Sequence, residues 1–358
     1  MTSLTDLSFA APELFVLTMT CVVLIVDLFL TERNRWISYY LALLTLLGAA
    51  FITVHFAVDQ RVLAFEGMFV ADRLSDILKL AIYLVIGVVF VYSKEYLQRR
   101  VLFKGEYFVL SLTGMLGMMV MISAHSFLSM YLGLELMSLS LYAMVAFDRD
   151  SGIASEAAMK YFVLGGIASG TLLFGISILY GVTGSLDFSE IATALSSGHD
   201  LDLAVLFALS FVIVAVAFKL GAVPFHMWLP DVYDGAPTSV TLYLGTAPKI
   251  AGFALVVRVL VEALGQYQSD WANMLTILAV LSMAVGNLAA IAQSNIKRML
   301  AYSTISHVGF ILLGFIAGTE EGLVAALFYT LVYALMAAGA FGVIILLSRA
   351  GFEADQLE

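Results

Sequence analysis

Three residues of this chain sit where a lipid-embedded protein pays most to keep a charge. Glu135 lies in Tyr131-Leu132-Gly133-Leu134-Glu135-Leu136-Met137-Ser138, and Lys219 and Lys249 lie in later apolar stretches. Glu135 and Lys249 each fall about ten residues into a run long enough to cross a bilayer, so about 15 Å deep at 1.5 Å per residue. A charge at the bilayer centre costs roughly 2.5–3.5 kcal/mol on insertion scales. Such groups must be paired, hydrated or neutral. A buried lysine beside a carboxylate suits proton relay, because burial lowers its pKa and the carboxylate raises it again. Moving the carboxylate, or its proton, then switches the lysine between holding and releasing its own. Lys160, nearer a helix end, divides evenly between relay and snorkelling to the headgroups. His226 and, more weakly, His307 are candidate shuttles near neutral pH. His307 follows Ser303 and Ser306, and a histidine bonded to a neighbouring hydroxyl fits it equally well. Lys79 and Arg258 are expected to snorkel. A purely structural buried ion pair is the competing account of Glu135, Lys219 and Lys249.

The prolines point to the same stretch of chain. There are five, and Pro224, Pro230, Pro237 and Pro248 cluster together. Pro224 cannot donate to the carbonyl of Leu220, and Gly221 weakens the helix further. The freed carbonyls are expected to stabilise the Lys219 ammonium and to hold water. Proline neighbours an intramembrane lysine twice, Pro224 after Lys219 and Pro248 before Lys249. Broken helices of this kind mark transporter sites.

The elements that must position these residues are membrane helices. The chain has 358 residues, 62% hydrophobic and 12% charged, against about 25% charged in soluble domains. Its apolar runs are long and continuous, which excludes a membrane barrel and predicts an all-α polytopic membrane protein of about eleven helices. They fall near 12–30, 37–58, 74–93, 106–123, 125–147, 154–182, 202–222 with a continuation to 231, 238–262, 270–292, 297–317 and 321–348. The N-terminal segment Met1–Ala11 has no basic residue, so a cleavable signal is not expected.

Loop charges alternate. Arg33, Arg35, Lys94, Arg99, Arg100, Lys104, Arg149, Lys297, Arg298 and Arg349 fall on one side, and only Arg61 and Arg73 on the other. The 183–201 loop carries Asp187, Glu190 and Asp200 and no base. The positive-inside rule then puts the N-terminus outside and the C-terminus in the cytoplasm. A lone cysteine, Cys21, excludes an iron–sulfur cluster, a zinc knuckle and a disulfide framework. Gly165-Gly166-Ile167-Ala168-Ser169-Gly170 lies inside a helix and reads as a small-xxx-small packing pair, Gly166 with Gly170, rather than a phosphate loop. There is no dinucleotide or nucleophile motif. No cofactor is expected in this chain, so any redox or ATP chemistry that drives it must sit in other subunits. The partners implied are the bilayer and further membrane subunits, with no nucleic acid.

The motif Phe218-Lys219-Leu220-Gly221-Ala222-Val223-Pro224-Phe225-His226-Met227-Trp228-Leu229-Pro230-Asp231-Val232-Tyr233, with Gly235-Ala236-Pro237-Thr238, Thr246-Ala247-Pro248-Lys249 and Asn295-Ile296-Lys297-Arg298-Met299-Leu300-Ala301-Tyr302-Ser303, resembles the antiporter-like membrane subunits of respiratory complex I, the NADH–quinone oxidoreductase. The resemblance covers essentially the whole chain. It implies an antiporter-like fold of two inverted five-helix repeats, each with a broken helix. The blocks would be 1–105 (three N-terminal helices), 106–262 (first repeat) and 263–358 (part of the second). It matches Glu135 to the family's helix-five glutamate, Lys160 to its helix-six lysine, Lys219 to the lysine of the first broken helix and Lys249 to the bridging lysine. NADH, FMN, iron–sulfur clusters and quinone would be held by other subunits of a bacterial inner-membrane complex, and the other membrane-arm subunits would be partners. A second lysine- or glutamate-bearing broken helix is implied beyond the eleventh span. The sequence stops before it, at Ala354-Asp355-Gln356-Leu357-Glu358, which reads as a fragment or a truncated gene product. Two other functions compete: a subunit of a multi-subunit sodium/proton antiporter, and a scaffold whose charges only pair helices.

Overall fold

The structure is a computed structural model and describes residues 4–196, 202–348 and 352–356. Eleven helices among the described residues are long and apolar enough to cross a membrane. In chain order the helices are α1 (Leu4–Phe9), α2 (Ala11–Leu28), α3 (Trp36–His55), α4 (Arg73–Arg99), α5 (Gly105–Ile122), α6 (Phe127–Val145), α7 (Gly152–Thr183), α8 (Phe188–Ser196), α9 (Asp202–Leu220), α10 (Trp228–Gly235), α11 (Thr238–Leu244), α12 (Ala247–Val256), α13 (Gln268–Ile291), α14 (Ile296–Ile316) and α15 (Glu320–Leu347). All eleven expected spans are present, with α11, α12 and a π-helical turn over Val257–Ala263 together forming one.

The differences from expectation have local causes. Helix α4 runs past residue 93 because its polar end is rich in strong helix formers and closed by an Arg99–Glu95 pair at 2.9 Å. Helix α9 stops at Leu220, since Gly221 turns to φ +85° in the left-handed region that favours glycine. The continuation expected to residue 231 is instead a separate short helix, α10. The eighth span is interrupted at Gly245–Thr246, ahead of Pro248. A two-stranded hairpin, β1 (Val62–Ala64) against β2 (Phe69–Ala71), occupies what the sequence left as a loop.

The hairpin also ties one end of the bundle together. Phe69 bridges Ala124, and Ser126 bridges Asp187, so the loops after the second, fourth and sixth spans meet there. At the opposite end Arg33, Arg35, Arg100, Lys104 and Arg149 line one cavity, which gathers the loops after the first, third and fifth spans. The alternation read from loop charge is thus present in three dimensions. Asp200 and Arg349, which entered that reading, lie outside the described residues.

Helices α5 and α6 meet at almost backbone distance. A Cβ on Gly117 would lie 2.4 Å from the Met137 nitrogen, and one on Gly133 2.6 Å from that of Met121. This contact fixes the rotation of α6 and therefore the direction in which Glu135 and Ser138 point. Gly117→Val is expected to destabilise the fold by about 1–3 kcal/mol through overpacking, read as a lower melting temperature of the detergent-solubilised protein. An unchanged melt would mean that the two helices are not held at this distance.

Two expectations fail on burial. Lys79 does not snorkel: it is 2% exposed and pairs at 2.6 Å with Glu13, itself 6% exposed. Arg258, 1% exposed, is clamped by Asp72 at 2.8 Å and Glu262 at 2.5 Å. Both cations are enclosed by protein, so a carboxylate partner replaces water. Glu13 is therefore the more deeply buried acid, since Glu135 is only partly buried. The pairing of Gly166 with Gly170 fails too. Both are exposed and nothing lies within 4 Å of a Cβ built on either. The packed glycine is its neighbour Gly165, against the Tyr142 ring.

Candidate functional site

The centre of the site is a serine that the sequence reading did not single out. The Ser169 hydroxyl on α7 donates to Glu135 Oε1 at 2.5 Å and accepts from Lys219 Nζ at 3.5 Å. Lys219 donates a shorter bond, 2.9 Å, to Ser138 Oγ. Ser138 stands one helical turn beyond Glu135 on the same face of α6 and passes its own proton to the Leu134 carbonyl at 2.7 Å. Three helices thus converge on one carboxylate, two hydroxyls and one amine, both hydroxyls and two of the three ammonium N–H groups finding acceptors. Glu135 and Lys219 are joined through Ser169.

Lys219 and Lys249 line the same small cavity, walled by Met121, Leu134, Tyr161 and Trp228. Its volume is about 20 Å³, enough for one water molecule. Lys249 is 4% exposed and donates to the Leu220 carbonyl at 2.7 Å. That carbonyl is the one left without a helical donor by Pro224. The expectation that freed carbonyls serve Lys219 is therefore corrected, since the break is read by Lys249. The other exposed groups of the break are satisfied in turn. The Phe218 carbonyl accepts from Trp228 Nε1 at 2.9 Å, and the Val223 amide donates to Ser282 Oγ at 2.9 Å. Gly221 is needed for closeness as well as for its φ, because a Cβ there would lie 2.4 Å from Leu229 Cδ1 and 3.9 Å from Lys249 Nζ.

The remaining candidates are not in this cavity. Lys160 is exposed, paired with Asp231 at 2.8 Å and Glu156 at 2.9 Å. Asp231 also takes Arg298 at 3.0 Å. Burial works to raise the Asp231 carboxyl, but its bonds to Lys160 and Arg298 outweigh this and hold it below the usual range. His226 lies in the turn between α9 and α10, half-buried, with no hydrogen-bond partner for its Nδ1. Burial pushes its imidazole below the ordinary value, towards the neutral form. His307 pairs through Nδ1 with the Tyr329 hydroxyl at 2.7 Å, and lines a different cavity of about 100 Å³ with Thr304 and Tyr333.

Sequence reasoning missed three contributors here. Ser138 was within reach, being three residues after Glu135. Ser169 was hidden in a glycine-rich run read only for packing. Lys297, counted as a loop charge, is 3% exposed and donates to the carbonyls of Asp234 and Ala236 at 2.8 and 2.7 Å. Among the described residues no group of three or more His, Cys, Asp or Glu is arranged to hold a metal ion.

Residues 124–358 match the family described as NADH:quinone oxidoreductase/Mrp antiporter, TM. The chain is 66% identical to NADH-quinone oxidoreductase subunit N of Thioalkalivibrio sulfidiphilus, across 97% of this chain and 72% of that protein. It is 60% identical to the subunit of the same name from Thiobacillus denitrificans, across 99% and 74%. Among solved structures it resembles a chain of respiratory complex I from Thermus thermophilus with bound Aureothin, with TM-score 0.78 and 31% identity over 93% of this chain and 70% of that one. It also resembles a chain of the Mrp complex from Dietzia sp. DQ12-45-1b, with TM-score 0.79 and 23% identity over 96% and 65%, a likeness of fold alone. At 66% and 60% identity to two subunits of that name, over almost the whole of its length, the chain belongs to the NADH-quinone oxidoreductase subunit N family of antiporter-like membrane proteins.

Proposed function

We propose that this chain is the proton-translocating membrane subunit of an NADH–quinone oxidoreductase, moving protons through Glu135, Lys219 and Lys249 while electron transfer takes place in other subunits. The observation that carries the reading is the Ser169 hydroxyl, bonded at once to Glu135 and Lys219. When Lys219 gives up a proton to Ser169 and Ser169 passes its own to Glu135, the hydroxyl is restored and no proton crosses open lipid. Release of Lys219 in the other direction is into the cavity it shares with Lys249, whose volume admits one water. Lys160, His226 and His307 sit at the approaches: Lys160 at the exposed surface, His226 after the break, His307 beside the hydroxyls of Tyr329 and Tyr333.

The loop charges support an N-terminus outside a bacterial inner membrane, and the proposed direction of proton movement is from the cytoplasm outwards. NADH, FMN, iron–sulfur clusters and quinone belong to other subunits, and the neighbouring membrane-arm subunits are this chain's partners. The blocks 1–105, 106–262 and 263–358 are its organisation into N-terminal helices, a first repeat and part of a second.

The test is Ser169→Ala in the assembled complex, with NADH-driven proton uptake measured in inverted vesicles. Uptake is expected to fall roughly tenfold while ferricyanide reduction by NADH is unchanged, and Ser169→Thr to recover most of it, in keeping with the contribution of a positioned proton-transfer group. Full pumping in Ser169→Ala would remove the hydroxyl from the path and leave the Glu135–Lys219 arrangement as structural pairing.

A further inference from the structure

Apart from the lysine path, the bundle holds a cavity of about 620 Å³ at its basic end, within the roughly 300–1,000 Å³ of ligand pockets. Arg33 and Arg35 reach it from the turn after α2, Arg100 and Lys104 from the turn after α4, and Arg149 from the turn after α6. Among the described residues Arg33, Arg35, Lys104 and Arg149 have no ion pair, although Glu32, Asp148 and Asp150 line the same cavity. Arg100 pairs with Glu353 at 2.7 Å, yet its buried Nε has no hydrogen-bond partner. Cations left unpaired around a concave space are suited to phosphate oxygens.

The surroundings say what kind of phosphate. The cavity opens where spans end, at the level of the headgroups. Trp36 lines it and is 50% exposed, the position of an interfacial aromatic anchor. Val101 lines it as well and is 79% exposed, and Leu28 and Phe29, 76% and 84% exposed, lie just before the lining residue Glu32 in the chain. A basic hollow next to exposed apolar side chains matches an amphiphile, where a soluble anion would need only the hollow. We propose that this cavity binds the headgroup of an anionic phospholipid, its phosphate among Arg33, Arg35, Arg100 and Arg149 and its acyl chains along the outer faces of α2 and α3. None of these residues belongs to the proton path, so the site stands apart from the function proposed above.

The experiment uses the whole complex in phosphatidylcholine liposomes doped with a photoactivatable lipid, with labelled peptides located by mass spectrometry. A phosphatidylglycerol probe is expected to label residues 28–40 at least fivefold more than a phosphatidylcholine probe of the same chain length. The combined variant Arg33→Gln, Arg35→Gln, Arg149→Gln is expected to lower phosphatidylglycerol labelling to the phosphatidylcholine level, removing the whole of that excess, and to leave phosphatidylcholine labelling alone. Inorganic phosphate is expected not to compete. Equal labelling by the two lipids on the unmodified complex would overturn the proposal, whether or not the variant assembles. Displacement by inorganic phosphate would also overturn it, by making this a small-anion site.

Discussion

Lys219→Ala is expected to cut NADH-driven proton uptake to below about a tenth of normal in a complex that still assembles. The amine donates to both Ser138 and Ser169 and is, among the described residues, the only cation bridged to Glu135 through a hydroxyl. Its loss removes the proton carrier and leaves the carboxylate facing two hydroxyls. Positioned acid–base groups contribute about 10²–10⁴ in rate, and water entering the vacated space recovers only part of that. Lys219→Arg sharpens the test. A guanidinium keeps the positive charge and the hydrogen bonds but does not deprotonate in a protein. It is expected to assemble as the alanine variant does while leaving uptake as low as in Lys219→Ala. Normal pumping in the arginine variant would show that the position needs charge alone, and the relay account of Lys219 would fall.

The second large effect is at Glu135. Glu135→Ala is expected to abolish coupled activity with subunit content unchanged, and Glu135→Gln to do nearly the same, with uptake in both below about a tenth of normal. The amide can still take the Ser169 hydroxyl bond, so geometry is kept and only the charge and the capacity to accept a proton are lost. The pair of variants therefore separates packing from chemistry. Comparing uptake in vesicles with the amount of assembled complex on native gels reads both. Retained pumping in Glu135→Gln would take the carboxylate out of the path.

How much of this was visible in the sequence depended on range. The eleven spans were legible because each is a continuous apolar run, and the break was legible because Gly221 and Pro224 act on their own helix. Glu135, Lys219 and Lys249 announced themselves by the cost of their depth. What could not be read was which side chain on a distant helix meets which. The carbonyl freed by Pro224 goes to Lys249, 29 residues away, and nothing local to Lys219 says so. Ser169 becomes important only once α7 is packed on α6 and α9. Lys79 and Arg258 were misjudged for the same reason: Glu13 and Asp72 come to them from other elements, although Glu262 stands only four residues after Arg258 on its own turn. The hairpin Val62–Ala64 with Phe69–Ala71 escaped because two three-residue strands leave too short a pattern to see.

The bond from Lys249 to the Leu220 carbonyl makes the elbow at Gly221 a transducer. The ammonium form is the stronger donor, so protonation tightens the elbow and deprotonation slackens it. By reciprocity, anything that pulls the elbow straight makes Lys249 a better acid. A tug arriving along α9 would in this way be converted into a change of voltage-bearing charge, and a change of charge back into movement, without either signal needing a partner outside the bundle.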